Sequence, residues 1–296
     1  MSHTKLAQSI LKTIVYADIF DYPLTVEQLH RYLIGERGVA IQISETGVKK
    51  LVKAKILCQH PQTHQIALAG RSRLFKLNQG RRLHSEKKAK VGERIGQGIA
   101  TLPGVQAVFL TGAVAMNNAA QNDDIDLMII TLDQNLWLTR LLITLSLDIS
   151  GKRRKPQINT HRSPQVRDKI CPNLYLDTSH LSVPRHRRNL YTAHEVVQAR
   201  PLVAKDNLAT HFLWSNRWVK TYLPNTVISQ PTTPLATSSS PSTLNHLAYR
   251  LQNWYMSSKK TNELVTSHMA YFHPRNTSQL VLDKYNQKLR NLDITP

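Results

Sequence analysis

The spacing of apolar residues predicts three helices and a hairpin at the start of the chain. Apolar side chains recur at steps of three and four over residues 5–19, which indicates an amphipathic helix. Thr25 can cap a second helix, and Ser44 opens a third. The segment ILCQHPQTHQIALAG, residues 56–70, then predicts a strand, a turn and a strand. This order is typical of a winged helix, which we assign to residues 1–80.

A different pattern occupies the middle of the chain, where strands and helices are mixed. A charged helix expected over residues 72–102 leads into a strand at Val105–Leu110, and a second apolar run follows a turn of small residues. An apolar helix is predicted at Asn135–Leu147, and KICPNLYLD, residues 169–177, predicts another strand. Residues 81–185 therefore predict an α+β domain.

The last part of the chain, residues 186–296, predicts mainly helices. Within it, Trp214, Trp218 and Tyr222 would share one helical face, which favours core packing over a platform for stacked bases. Residues 225–243 are rich in Pro, Ser and Thr and predict a linker. Helices are expected at residues 189–204 and 207–224, and then at Leu244–Leu251, Asn253–Met269 and Gln279–Leu292.

Composition argues against a membrane-spanning or secreted protein. The chain has 296 residues, 41% of them hydrophobic, which is enough for two or three domains and at least one sizeable core. No apolar run approaches the roughly 18 residues of a membrane helix, and the first residues lack the order of a signal peptide. Cys58 and Cys171 are too few and too scattered to indicate a disulfide framework or a zinc site. We therefore expect a cytoplasmic protein, and we assign no catalytic role to its 13 scattered histidines.

The charge of the chain predicts a polyanionic partner. Lys and Arg number 39 against 19 acidic residues, which gives a formal net charge of +20. Such an excess attracts nucleic acid, although a generally basic proteome would also produce it. Contacts to RNA or DNA phosphates are expected on the third helix and in the basic loop that starts at Gly151: Lys49, Lys50, Lys53, Arg153 and Arg154. Solvated lysines and a mobile loop are the alternative interpretation.

Two aspartates in the second apolar run carry most of the chemical information. Asp124 and Asp126 would point to the same face of a strand, roughly 7 Å apart along the chain. Paired carboxylates on an otherwise buried strand repel each other and lose hydration, so a cation must neutralise them. Two Mg²⁺ ions about 3.5–4 Å apart would do so. An isolated Asp-x-Asp is commonly solvated, but this one follows a strand and a turn at Gly112, which lets a phosphate approach the backbone.

At Gly112-Ala113 and at the Asp-x-Asp of residues 124–126, the sequence resembles the DNA polymerase β-type nucleotidyltransferase superfamily. The signature of that superfamily is Gly-Ser or Gly-Gly, a short helix, and Asp-x-Asp on a strand, so the alanine departs from the usual serine. The segments YADIFDYPLT and ICPNLY look like features of a bacterial and archaeal group that joins a winged helix to this domain. The resemblance implies a mixed-sheet domain in which the aspartate pair binds two Mg²⁺ ions and the substrate is an NTP.

The resemblance also implies a phosphate cradle and a third acidic group. The nucleotide-binding residues that it implies are Thr111, Gly112, Ala113, Asn117 and Asn173. On the strand of residues 169–177, alternation places Cys171, Asn173 and Asp177 on one face. We name Asp177 as the third catalytic residue because it is the only carboxylate there. If Asn173 holds the third position instead, it cannot act as a base, and proton removal falls to bound water or to the substrate.

These inferences predict a Mg²⁺-dependent nucleotidyltransferase that moves a nucleoside monophosphate from an NTP to RNA or another nucleic acid. The alternative is a winged-helix, nucleic-acid-binding regulator whose transferase domain is an inactive NTP sensor. Ala113 and the ambiguous third carboxylate favour this alternative, whereas the intact aspartate pair opposes it. A small-molecule modifier of the antibiotic-adenylating kind shares the core, but its acceptors are often cationic, which suits a net charge of +20 poorly.

Overall fold

The computed structural model describes residues 5–35, 39–155, 166–235, 243–257, 263–272 and 277–294. Its first elements are three helices and an antiparallel hairpin, in the order expected from the sequence. The helices are α1 (Lys5–Asp18), α2 (Val26–Arg31) and α3 (Ile41–Lys53), and the strands are β1 (Leu57–Gln59) and β2 (Ile66–Leu68). Thr25 caps α2, because its hydroxyl accepts a hydrogen bond from Gln28 N at 3.3 Å. The third helix begins at Ile41, ahead of the expected start at Ser44.

A six-stranded sheet forms the centre of the molecule. Its strands are β3 (Val105–Leu110), β4 (Ile125–Thr131), β5 (Ile170–Asp177), β6 (Arg200–Ala204), β7 (Leu264–Val265) and β8 (Met269–Tyr271). They lie in the order β6-β3-β4-β5-β8-β7. Strands β4 and β5 are parallel, whereas the other neighbours are antiparallel. The structure thus confirms a mixed sheet combined with helices.

Helices cover both faces of this sheet. The remaining helices are α4 (Arg73–Ala100), α5 (Gly112–Ala115), α6 (Leu136–Ile149), α7 (Leu190–Gln198), α8 (Leu208–Ser215), α9 (Thr243–Ser257) and α10 (Thr277–Asn291). Alternation along β4 explains the two layers. Met128 and Ile130 face a core that includes side chains of α1, α7 and α10, while Leu127 and Ile129 face a core that includes side chains of α4, α6 and α9. In the described part of the chain, every helix is too short or too polar to cross a membrane.

The chain beyond residue 186 is less helical than the sequence predicts. RPLVA forms β6 at one edge of the sheet, and the helix expected at Asn253–Met269 is replaced by the end of α9 and, further on, by β7. These strands are two to five residues long, so they are too short to show a clear alternation of apolar and polar residues. Tertiary pairing, rather than local pattern, decides their conformation.

The predicted aromatic stripe is also corrected, because α8 ends at Ser215 and a 3₁₀ turn over Arg217–Thr221 follows it. Trp214 and Trp218 therefore do not share a continuous helix. Of the predicted linker, residues 225–235 form neither helix nor strand, and residues 236–242 lie outside the described residues. The boundary expected after residue 80 falls inside the continuous helix α4.

Buried Asp18, at the end of α1, ties the first elements to the last helix. Arg71 Nε lies 2.8 Å from Asp18 Oδ1, and Lys288 Nζ of α10 pairs with the other carboxylate oxygen. The Asp18 side chain is 5% exposed, so removal of either cation would leave a poorly compensated buried charge. The N-terminal elements and the C-terminal helix are therefore one packed unit rather than separate appendages.

His194, on α7, packs against the N-terminal helices as a neutral group. Its ring stacks on that of Tyr16 with centroids 3.9 Å apart, and its Nδ1 lies 3.0 Å from Leu190 O. Burial lowers the pKa of His194 from 6.5 to about 4.

We expect His194 to make the fold sensitive to acid between about pH 6.5 and pH 4. In this window the unfolded chain binds a proton that the folded chain excludes. The free energy of unfolding is therefore at its full value above about pH 6.5 and falls as the pH is lowered towards 4. His194→Gln should reduce the change in the free energy of unfolding between pH 7 and pH 4 by roughly 3 kcal/mol. Urea titrations measure this change, with His246→Gln, at an exposed position of α9, as the control. An unchanged pH dependence in H194Q would contradict the assignment.

Candidate active site

The aspartate pair lies at the start of β4, where the register with β5 brings another polar group beside it. Asp126 is aligned with Cys171 across the parallel strands. One carboxylate oxygen each of Asp124 and Asp126 and the Cys171 sulfur all lie within 4.8 Å of one another. The two carboxylates therefore converge on one point at the end of the sheet.

A β-bulge in β5 adds Asn173 to this group. Leu127 is aligned with Pro172 and Met128 with Leu174, so Asn173 is the extra residue of the bulge. Its Nδ2 donates a hydrogen bond to Asp126 Oδ1 at 2.7 Å. An amide thus lies against Asp126 in the position where the resemblance implies a third carboxylate.

Asp177 does not join the site, which corrects the expectation that it supplies the third carboxylate. It is aligned with Thr131, five residues along β4 from Asp126 and so roughly 17 Å away. The bulge at Asn173 also reverses the alternation along β5, which places Asp177 on the opposite face of the sheet from Asp126. Its carboxylate contacts His180 and His268 instead.

Gly112 brings the turn between β3 and α5 against Asp126. Its φ of +62° lies in the left-handed region that favours glycine. A Cβ atom at this position would lie 2.6 Å from Asp126 Oδ2, closer than real Cβ contacts allow. Thr111 N donates a hydrogen bond to Asp126 O at 3.0 Å and fixes the turn to the strand. Both the backbone conformation and the neighbouring carboxylate therefore require glycine here.

The two aspartates have different partners. Arg154 Nη1 donates a hydrogen bond to Asp124 Oδ2 at 2.7 Å, whereas Asn173 Nδ2 donates one to Asp126 Oδ1. Burial, followed by the charge of Asp124, raises the pKa of Asp126 well above its ordinary value. A cation bound beside Asp126 would oppose this shift, because a positive charge favours the ionised carboxylate.

The available donor atoms fit a hard divalent cation. Carboxylate oxygens are the ligands that Mg²⁺ prefers, and two of them converge here. Burial, followed by the charges of Asp126 and Asp124, raises the pKa of the Cys171 thiol well above its ordinary value. The thiol thus stays protonated and is a poor ligand. Asp124 and Asp126 are therefore the residues that would hold Mg²⁺, and Arg154 is the cation that an ion would displace from Asp124.

A cavity of about 690 Å³ opens beside Asp126, between the sheet, α1 and α7. This volume lies within the range of ligand sites, roughly 300–1,000 Å³. The expected nucleotide-binding residues Thr111, Gly112, Ala113 and Asn173 line it. Asn117 is not part of the wall, although its neighbour Asn118 is. The N-terminal elements contribute the aromatic side chains Tyr16, Phe20 and Tyr22.

Glu195, on α7, is a residue of the cavity wall that the sequence-based reasoning missed. Burial raises its pKa from 4.5 to about 7, and its charge in turn raises the pKa values of Asp126 and Tyr191. The available signal was a single carboxylate among the apolar positions of NLYTAHEVVQ. Its approach to β4 depends on tertiary packing, which the helical pattern does not reveal.

The expected nucleic-acid contacts fall in two places. Lys49, Lys50 and Lys53 are exposed on α3, where Lys49 forms a surface pair with Glu45 at 2.9 Å. Arg153 pairs with Asp148 at 2.7 Å, so of the two arginines Arg154 is the one that reaches the aspartates. Residues 156–165 of the basic loop lie outside the described residues.

No protein-family model, curated protein or solved structure significantly matches the chain. The resemblance to polymerase β-type enzymes therefore stays a prediction from short motifs. What the chain can do has to be argued from the geometry around Asp124, Asp126 and Gly112.

Gly112→Ala should weaken binding of Mg²⁺ at the aspartate pair, because the added methyl group would displace the Asp126 carboxylate. We expect an affinity loss of at least about tenfold in calorimetric titrations, together with a strain cost of about 1–2 kcal/mol. Gly70→Ala is the matched control. Gly70 also has a positive φ, +79°, but no atom lies within 4 Å of an added Cβ, so this variant should lose stability alone. Equal affinities of G112A and the wild type would contradict this account of the turn.

Proposed function

We propose that this chain is a Mg²⁺-dependent nucleotidyltransferase of the polymerase β type, which moves a nucleoside monophosphate from an NTP to a hydroxyl of RNA or another nucleic acid. The observation that carries the proposal is the convergence of Asp124 and Asp126 beside the Gly112 turn, at the edge of a cavity of nucleotide size. In this proposal, the N-terminal helices and hairpin are a winged helix joined to the catalytic domain.

Groups on both sides of the cavity would handle the NTP. The backbone at Gly112 lets phosphates approach without obstruction by a side chain. Asp124 and Asp126 would hold Mg²⁺, which when bound offsets the charge of the triphosphate. Asn173 keeps the Asp126 carboxylate in place through its 2.7 Å hydrogen bond. Arg154, once released from Asp124, would pair with a phosphate oxygen.

Glu195, in the cavity wall, is suited to remove the proton from the acceptor. Asn173 cannot serve as a base, and Asp177 lies at the other end of β5. With a pKa of about 7, Glu195 can accept a proton near neutrality. The acceptor oxygen then forms a bond to the α-phosphorus as the bond to pyrophosphate breaks. The electron pair of that bond leaves with pyrophosphate, and the proton stays on Glu195 until it exchanges with water.

The charge distribution supports a nucleic acid as the acceptor. The net charge of +20 would attract polyanions, and Lys49, Lys50 and Lys53 are exposed together on α3. If six to ten cations of the chain met phosphates, the affinity would fall about 10³–10⁵-fold between 50 and 200 mM salt.

A regulator that binds NTP without transferring it is the second candidate. An asparagine, Asn173, contacts Asp126 where a third carboxylate would be expected, and Arg154 already neutralises Asp124. Tyr16 and Phe20 of the N-terminal part line the same cavity, so a bound nucleotide would touch the elements expected to meet nucleic acid. These contacts would suit a sensor that reports nucleotide binding to the N-terminal part.

Transfer should depend on both aspartates. Purified protein incubated with Mg²⁺, each labelled NTP and total RNA or DNA should transfer label to an acceptor. Asp124→Asn and Asp126→Asn should lower that transfer by at least about 10²–10³-fold, because the triphosphate charge is then left uncompensated. Asp206→Asn, at an exposed position, is the control. Unchanged transfer in D126N would refute the proposed transferase site. NTP binding without transfer to any acceptor would support the regulator.

Glu195→Gln should remove the pH dependence of transfer near neutrality. In the wild type we expect the rate to rise as the pH increases through about 7, because the base must be ionised. The variant cannot ionise there, so its rate should fall by about 10²–10⁴-fold and vary less with pH. Glu86→Gln, at an exposed position of α4, should keep the wild-type profile. A wild-type rate and pH profile in E195Q would show that another group accepts the proton.

A further inference from the structure

A second cluster of polar side chains lies at the other end of β5. Asp177 ends the strand, His180 follows in the next turn, and His268 comes from the loop between β7 and β8. His180 Nδ1 lies 3.1 Å from Asp177 Oδ1, and His268 Nδ1 lies 2.6 Å from Asp177 Oδ2. Two imidazoles and a carboxylate thus meet from distant parts of the sequence, at a place that the proposed transferase chemistry does not use.

The spacing of these atoms suits a small metal ion. One ligand atom each of Asp177, His180 and His268 lies within 4.8 Å of the other two. Ligands of Zn²⁺ lie roughly 2.0–2.2 Å from the ion, so in a tetrahedral site they are roughly 3.3–3.6 Å apart. Asp133 Oδ1 lies 3.8 Å from His268 Nδ1 and adds a second carboxylate at the rim of the cluster. Small movements of the two histidine rings would bring all three ligands into bonding range.

The two histidine rings present the same nitrogen, Nδ1, to Asp177. The rings of His180 and His268 stack with centroids 4.2 Å apart and an interplanar angle of 24°, and each turns Nδ1 towards Asp177. One divalent cation could bind both nitrogens in place of these hydrogen bonds and of the 2.7 Å contact between His180 Nδ1 and Ser179 Oγ. The carboxylates of Asp177, which has no exposed surface, and of Asp133 would balance its charge.

We propose that Asp177, His180 and His268 form a binding site for a divalent transition-metal ion, best matched by Zn²⁺. Imidazole and carboxylate are common ligands of Zn²⁺, whereas Mg²⁺ takes oxygen ligands. The aspartate pair at the start of β4 and this cluster would therefore select different ions. The proposal does not depend on the transferase activity.

The role of this site would be to fasten the β7–β8 hairpin to the sheet. Strands β7 and β8 are two and three residues long, and β8 pairs with β5 through three aligned residue pairs. Main-chain pairing of this length contributes little on its own. A metal ion held by Asp177 and His180 on one side and by His268 on the other would clamp the hairpin through side chains.

Titration of metal-free, full-length protein with Zn²⁺, and with Co²⁺ as a spectroscopic substitute, tests the site. The wild type should bind one ion here, and His268→Gln and Asp177→Asn should weaken binding by at least about tenfold, since even outer-shell partners of a metal can be worth that much. Zn²⁺ should raise the thermal midpoint of the wild type more than that of H268Q. Because Asp177 is buried and its replacement could impair folding, His180→Gln, whose side chain is 43% exposed, provides the same test on a folded protein.

Two controls distinguish this cluster from other metal-binding groups. His246→Gln, at an exposed position of α9, should leave the Zn²⁺ affinity unchanged. The double variant Asp126→Asn with Cys171→Ser should also retain it, and the Co²⁺ complex should show no thiolate charge-transfer band. The proposal is overturned if H268Q and H180Q bind Zn²⁺ as tightly as the wild type does. Loss of binding in the double variant alone would equally overturn it, because the ion would then lie at the aspartate pair.

Discussion

The constraint on which this structure depends is that two carboxylates, Asp124 and Asp126, converge beside a buried strand. Their mutual repulsion and lost hydration have to be offset locally. Arg154 offsets one charge, while Asn173 and a raised pKa accommodate the other. The bulge in β5 places Asn173 against Asp126, and the basic segment before β5 places Arg154 against Asp124. An ion that bound both carboxylates would displace the guanidinium of Arg154 from Asp124, so binding would be coupled to rearrangement of the site.

The cavity beside Asp126 is lined by the N-terminal elements, by the sheet with α7, and by the start of α10. Contacts among these parts hold the N-terminal elements against the cavity. Asp18 holds α1 to Arg71 and to Lys288 of α10, and α1 supplies Tyr16 to the cavity wall. A nucleotide in the cavity would therefore touch helices that lie far from the aspartates in sequence. Because α1 packs against α3 and also lines the cavity, one helix connects the exposed lysines of α3 to the wall beside Asp126.

Local patterns predict the parts of this fold that local interactions decide. The helices of the N-terminal part, β3, β4 and β5 follow from apolar periodicity and a capping residue, Thr25. Strands β6 to β8 do not, because strands so short take their conformation from a partner. Asp177 shows the same limit at the site, since alternation gives the face of a side chain only while the strand is regular. The bulge at Asn173 interrupts it, and Glu195 reaches the cavity through helix packing that no periodicity encodes.

Strand β5 contributes to two groups of polar side chains that offer different donor atoms. Near its start, Cys171 and Asn173 face Asp126, and the raised pKa of the thiol leaves only carboxylate oxygens as effective ligands. At its end, Asp177 meets two imidazoles. Mg²⁺ takes oxygen ligands, whereas Zn²⁺ also binds imidazole nitrogen. Because the bulge puts the two groups on opposite faces, roughly 17 Å apart, neither set of ligands can complete the other, and of the two groups the one at Asp177 is the one that offers imidazole nitrogen.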